Sequence, residues 1–262
     1  MSAAAEPVNI DVAYLLDRLE SLLRIPSPTG YTDSVVRWLC EELERLDIPF
    51  ELPRRGAVRA RIRGAQFTGA RAFVSHVDTL GAQVKGLKPN GRLELVPIGT
   101  WSARFAEGAR ATVFTETGSF RGTILPLKAS GHTFGDAVDE DPIGWPHVEL
   151  RVDALARDLN DLHGHGFEVG DIVAIDPQPE FLENGFIVSR HLDNKGGVAA
   201  MLAAIKALKD APTPPVDLYF LFTIAEEVGH GAASILPANV AAMVTVDNGT
   251  TAPGQNSSEF GV

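Results

Sequence analysis

The sequence predicts an α/β fold whose helix–strand alternation is broken by a β-rich insert. Three observations carry this. Two amphipathic helical stretches and a group of strand-like runs fill the chain to about Gly81. From about Gln83 to Pro179 the texture changes to many glycines and short β-type runs. The alternation then resumes with an apolar helix between strand-like segments.

The elements follow in order. In "DVAYLLDRLESLLR" the residues Val12, Leu15, Leu16, Leu19, Leu22 and Leu23 share one helical face, and Pro26 follows its end. The second helix, "TDSVVRWLCEELERL", is expected to bury Val35, Val36, Leu39, Leu43 and Leu46. Strands are expected in "PFEL", "AVRARIR" and "ARAFVSHVD", with Arg59, Arg61 and Arg63 forming a basic, solvated strand face. The insert supplies "GRLELVPIG", "ARATVFTE", "FRGTILPL", "HVELRVD" and "DIVAIDP", with "DALARDLNDLHG" its one helical candidate. Afterwards "GFIVSRHL" reads as a strand, "NKGGVAAMLAAIKALK" as a helix, and "VDLYFLF" and "VAAMVTV" as strands.

Composition excludes several classes. A net charge of −11 over 262 residues argues against a phosphate-binding surface, so no nucleic-acid partner is expected. The single cysteine, Cys40, rules out a disulfide framework and a cysteine metal site. The start "MSAAAEPVNI" has neither a basic region nor an apolar segment, and the apolar run "VAAMLAAI" is too short to span a bilayer. The expectation is a cytoplasmic protein with no membrane partner.

The chemistry gathers at the ends of predicted strands. "FVSHVDT" places His76 and Asp78 two residues apart, on one side of an extended chain. "SRHLDNKGG" brings Asp193, "TIAEEVG" brings Glu226 and Glu227, and "MVTVDNG" brings Asp247. Taken singly, each has an ordinary explanation. A strand-end Asp before Asn or Gly forms turns, a lone His packs in cores, and paired glutamates sit on surfaces. His163 and His165 fall in a glycine-rich loop, and His132, His147, His191 and His230 have no ligand-like spacing. The coincidence is what needs explaining. In open α/β sheets the carboxyl ends of parallel strands form the ligand crevice, and one imidazole with four or five carboxylates there requires cations to balance the charge.

"SHVDT", "LDNKGG", "AEEVGHGA" and "VDNG", in this order, resemble the co-catalytic metallopeptidases. Asp193 stands 115 positions after Asp78, with the β-rich insert between them. That order resembles the glutamyl or tetrahedral aminopeptidase family. The resemblance implies a three-layer α/β/α catalytic domain with a mixed, largely parallel sheet, split into residues 1–82 and 180–262, and a β-barrel-like inserted domain over 83–179. It also implies two divalent metal ions and a homo-oligomer. His76 and Asp247 would ligate the first metal, Asp193 both, and Glu227 the second, with Glu226 as general base and Asp78 orienting His76. Oxygen and imidazole donors without thiolate suit zinc, and also cobalt or manganese.

The expected function is an aminopeptidase cleaving short peptides. The alternatives are an amidohydrolase or deacylase acting on a small N-acyl or dipeptide metabolite, and a catalytically silent metal-binding assembly subunit. In the resembled family a final His for the second metal comes well beyond the last acidic motif. Here "TTAPGQNSSEFGV" follows and has no histidine. The chain therefore reads as truncated, expected to bind one metal tightly and the second weakly, with little or no peptidase activity. His191 and His230 lie near Asp193 and Glu227 in sequence, but ring geometry is expected to keep such neighbours from sharing one ion.

Overall fold

The computed structural model describes residues 8–251 and 253–254. The chain opens with helix α1 (Val12–Leu23), capped by the Asp11 carboxylate, which accepts a hydrogen bond from the Tyr14 amide at 3.0 Å. Its buried stripe is Tyr14, Leu19, Leu22 and Leu23. Val12 and Leu16, expected on that stripe, are exposed. Helix α2 (Asp33–Arg45) buries Val35, Leu39 and Leu43, together with Glu42. The Glu42 carboxylate is satisfied by Tyr14, Arg18 and Arg45, which joins α1 to α2 through a buried polar cluster.

Three strands follow: β1 (Phe50–Glu51), β2 (Val58–Ile62) and β3 (Gln66–His76). The chain then builds a closed barrel from β4 (Gly81–Leu87), β5 (Leu93–Ile98), β6 (Arg110–Thr115), β7 (Gly118–Pro126), β8 (Val148–Val152) and β9 (Ile172–Ile175), ordered β4-β5-β8-β7-β6-β9. Closure leaves no free strand edge, and the barrel has its own core, which includes Leu93, Val113, Ile124, Leu150 and Phe167. Between β7 and β8 lie two single turns, α3 (Gly131–Phe134) and α4 (Ala137–Glu140). The helix predicted over "DALARDLNDLHG" is present only as α5 (Leu159–Gly164). Asp158 accepts from the Asp161 amide at 2.9 Å and so starts the helix late.

A small hairpin, β10 (Glu180–Phe181) with β11 (Ile187–Val188), leads to the long helix α6 (Leu192–Lys209). Here the expectation of a main-sheet strand in "GFIVSRHL" fails. Only Ile187 and Val188 are extended, and they pair with β10 outside the main sheet. Last come β12 (Val216–Thr223) and β13 (Val240–Thr245).

The main sheet runs β1-β2-β12-β3-β13 and is mixed: β12 and β13 lie parallel to β3, while β1 and β2 complete an antiparallel side. Helices α1, α2 and α6 cover one face through a core that includes Leu22, Leu39, Leu202, Phe220 and Phe222. Against the opposite face, among the described residues, pack Ala232 and Ile235. The arginines of β2 are not simply solvated. Arg61 pairs with the buried Asp217 at 2.6 Å, because β12 places that carboxylate beside it, and Arg59 pairs with Glu51. Among the described residues, no helix is long and apolar enough to cross a membrane.

Candidate metal centre

Strand register brings the acidic residues to one level. Thr223 of β12 lies opposite His76 of β3, so the turn Glu226–Val228 begins just past the histidine. Thr245 of β13 lies opposite Val74, and the Val246 amide still bonds the Val74 carbonyl at 2.8 Å. Two residues further on, Asp247 stands beside His76. Asp193 arrives differently from expectation. It sits at a break in the first turn of α6, where Asp193 and Asn194 have non-helical backbone, directly after the left-handed His191 and Leu192. Three strand ends and one interrupted helix start therefore form the cluster.

The geometry centres on His76, whose side chain is 1% exposed. Its Nε2 lies 3.1 Å from Asp193 Oδ1, 3.7 Å from Glu226 Oε2 and 4.0 Å from Asp247 Oδ1. One donor atom from each of His76, Asp193 and Asp247 falls within 4.8 Å of the others. An imidazole and two carboxylates around one point are a donor set that fits a divalent transition cation. The Asp193, Glu226 and Asp247 side chains are all partly open to solvent, which leaves an approach for a ligand.

Asp78 is fully buried. Its backbone carbonyl, rather than its carboxylate, makes the short contact to His76 Nδ1, at 2.9 Å against 3.4 Å. The carboxylate instead accepts from Thr29 Oγ1 at 2.6 Å and from the amides of Glu226 and Glu227 at 3.2 and 3.3 Å. Glu227 Oε1 accepts from the Leu80 amide at 3.1 Å. The glutamate pair is thus hung from the segment that follows β3.

The charge balance shows in the proton affinities. Burial works to lower the pKa of His76, but hydrogen bonds to Asp193 and Asp78 outweigh it and raise it to about 10. Burial, reinforced by the charges of Asp193, Asp78 and Glu226, pushes Glu227 up to about 7. His76 and Glu227 thus hold their protons more tightly than the free side chains do.

Several supporting residues escaped the sequence reading. Thr29 anchors Asp78, and the Leu80 amide anchors Glu227. Asn194 donates to the Val246 carbonyl at 2.8 Å, tying the start of α6 to the strand end that presents Asp247. Lys195 is buried, and its ammonium donates to the Leu22 and Ile25 carbonyls at the end of α1. Burial lowers its pKa to about 7. Asn194 and Lys195 were within the quoted "LDNKGG", but only contacts across the fold reveal their tasks. His191 is directed at the Ile175 carbonyl, 2.9 Å from its Nε2, so that nitrogen is already engaged away from the cluster. His165 likewise faces the Leu155 carbonyl in the barrel.

Comparison with known proteins identifies relatives of this chain. The family model for M42 glutamyl aminopeptidase matches residues 56–262. YhfE of Bacillus subtilis, which carries the name aminopeptidase, is 33% identical over 249 residues, covering 94% of this chain and 72% of that protein. Other curated relatives are spanned over 43–62% of their length. An aminopeptidase from the archaeon Desulfurococcus kamchatkensis superposes with a TM-score of 0.80 at 24% identity, over 95% of this chain and 67% of that one. The TET1 peptidase of Pyrococcus horikoshii, described as assembling into a tetrahedron or a large octahedral shell, gives 0.77 at 22%, over 89% and 68%. The two structural likenesses establish the fold. The family match and the YhfE relationship establish the lineage: the chain belongs to the M42 glutamyl aminopeptidase family of metal-dependent aminopeptidases.

Proposed function

We propose that this chain carries the catalytic machinery of a dinuclear metallo-aminopeptidase acting on short peptides with a free N-terminus. The observation that carries the reading is the convergence of His76, Asp193 and Asp247 donors within 4.8 Å, beside two adjacent glutamates. His76, Asp193 and Asp247 would hold the first cation, and Asp193 and Glu227 the second. Bound there, divalent cations supply an acidified water and polarise the scissile carbonyl. Zinc suits the donors, as do cobalt and manganese.

The protein's own groups do the remainder. Glu226, half exposed and 3.7 Å from His76 Nε2, is placed to take a proton from the attacking water and pass it to the leaving amine. The Asp78 carbonyl fixes the ring orientation of His76 by accepting at Nδ1, which leaves Nε2 free as a ligand. The Asp78 carboxylate holds both glutamate amides and so sets the spacing between the proposed base and the proposed ligand. We read the barrel between Gly81 and Ile175 as a separate unit inserted into the α/β part, since it has its own core. A cytoplasmic location and assembly into a homo-oligomer are part of the same reading, the assembly supported by that described for the TET1 peptidase.

The test is a substrate panel with metal analysis on the purified protein. Slow release of N-terminal residues from unblocked peptides, dependent on added divalent cation, is expected. Hydrolysis of N-acylated amino acids with no action on unblocked peptides would replace this reading with a deacylase. Cation binding without any turnover would point to a silent assembly subunit.

A further inference from the structure

The segment Asp78–Gly81 is both the crossing from β3 into the barrel and the support of the glutamate turn. Asp78 accepts from the Glu226 and Glu227 amides, and the Leu80 amide donates to Glu227 Oε1 at 3.1 Å. The position of the Leu80 amide is therefore the position of the Glu227 carboxylate.

Two barrel residues hold this crossing. Gly99, just past the end of β5, has φ +82°, a left-handed conformation that glycine adopts without cost. A Cβ there would overlap Leu80 Cδ2 and come within 3.3 Å of the Glu227 carbonyl oxygen and 3.5 Å of its Cβ. Glycine lets the barrel lie directly on Leu80 and on the glutamate turn. Two residues on, Trp101 Nε1 donates to the Gly81 carbonyl at 3.0 Å. Trp101 is itself fixed, edge-on to Trp145 at 4.9 Å, with Trp145 Nε1 donating to its carbonyl at 3.3 Å. Gly81 also packs closely against Pro28, since a Cβ on it would meet the Pro28 side chain at 2.5 Å.

We propose that Gly99 and Trp101 are positioning residues through which the barrel sets Glu227. They clamp Leu80 and Gly81 so that the Leu80 amide aims the Glu227 carboxylate, and the second cation position depends on the barrel. The inference rests on the reading of Glu227 as a ligand.

Cobalt(II) titration tests it, with calorimetry for each position and visible absorption for coordination geometry. Trp101→Phe keeps the ring but removes the donor. It is expected to weaken the second position by about 2- to 10-fold, the loss of one hydrogen bond, and leave the first position unchanged. Gly99→Ala should weaken the second position further, and adding Leu80→Ala should restore the part of the loss that comes from displacing Leu80 Cδ2, leaving the part due to backbone strain at φ +82°. Glu227→Ala, measured alongside, should lose the second position entirely. If Glu227→Ala loses it while Trp101→Phe and Gly99→Ala bind as the parent does, the clamp is overturned and the ligand reading stands. If Glu227→Ala keeps both positions, the ligand reading falls and the clamp with it. Equal weakening of both positions by Trp101→Phe would also overturn the inference. Should Gly99→Ala fail to fold, Trp101→Phe decides alone.

Discussion

His76 and Glu227 serve one cluster from opposite kinds of support. His76 is the last residue of an eleven-residue interior strand of the sheet, buried and flanked by two parallel neighbours. Glu227 stands on a three-residue turn, half-buried, and is kept in place by donating its amide to the Asp78 carboxylate and accepting from the Leu80 amide. One side of the site is fixed by strand pairing and core packing, the other by tethers reaching across from the crossing into the barrel. A cation position made of strand-end donors should be robust to distant change. One that includes a tethered turn should be adjustable.

The largest effect should come from the strand side. His76→Ala removes the imidazole of the first position, and first-site affinity is expected to fall by more than about 100-fold, since even supporting residues of metal ligands commonly cost 10- to 100-fold. Titration with zinc or cobalt(II) checks this, and parent-like affinity would remove His76 from the ligand set. Asp78→Ala separates the two halves. The backbone carbonyl that orients His76 remains, while the carboxylate that holds Thr29 and both glutamate amides is gone. A loss of about 10- to 100-fold is expected at the second position, with the first largely spared. Equal loss at both would mean that the carboxylate serves the histidine after all.

The sequence made the tethered half partly legible. Adjacent glutamates after a buried strand are conspicuous because their charge has no ordinary place there. Short apolar runs likewise exposed β3, β12 and β13, and with them His76 and Asp247. What stayed hidden depends on contacts across the fold. Asp193 looked like a strand-end residue because "GFIVSRHL" is apolar and β-prone, yet the chain spends only Ile187 and Val188 in a hairpin before breaking into α6. The Leu80 amide and the Trp101–Gly81 contact involve main-chain groups, which no side-chain pattern announces.

A smaller, pH-dependent difference between the halves follows from their protons. Each ligand must give up its proton before it binds a cation. Glu227, raised to about 7 chiefly by burial, is protonated below that pH and free above it. Second-position affinity should therefore rise by up to about tenfold per pH unit below about 7 and level off above it. His76 is raised to about 10 through its bonds to Asp193 and Asp78, against the effect of burial. First-position binding should keep strengthening well above neutrality, releasing a proton throughout. Calorimetry in buffers of different ionisation enthalpy measures this, and identical pH profiles at the two positions would contradict the assignment.

The division of labour between Glu226 and Glu227 is the central claim, and one paired measurement addresses it. Metal content and peptide turnover are determined together for Glu226→Gln and Glu227→Ala. Glu226→Gln is expected to keep its bound cations while any turnover falls by about 10²- to 10⁴-fold, the usual cost of losing a general base. Glu227→Ala should lose one cation. Equal metal loss in the two variants, or cation loss in Glu226→Gln alone, would contradict it.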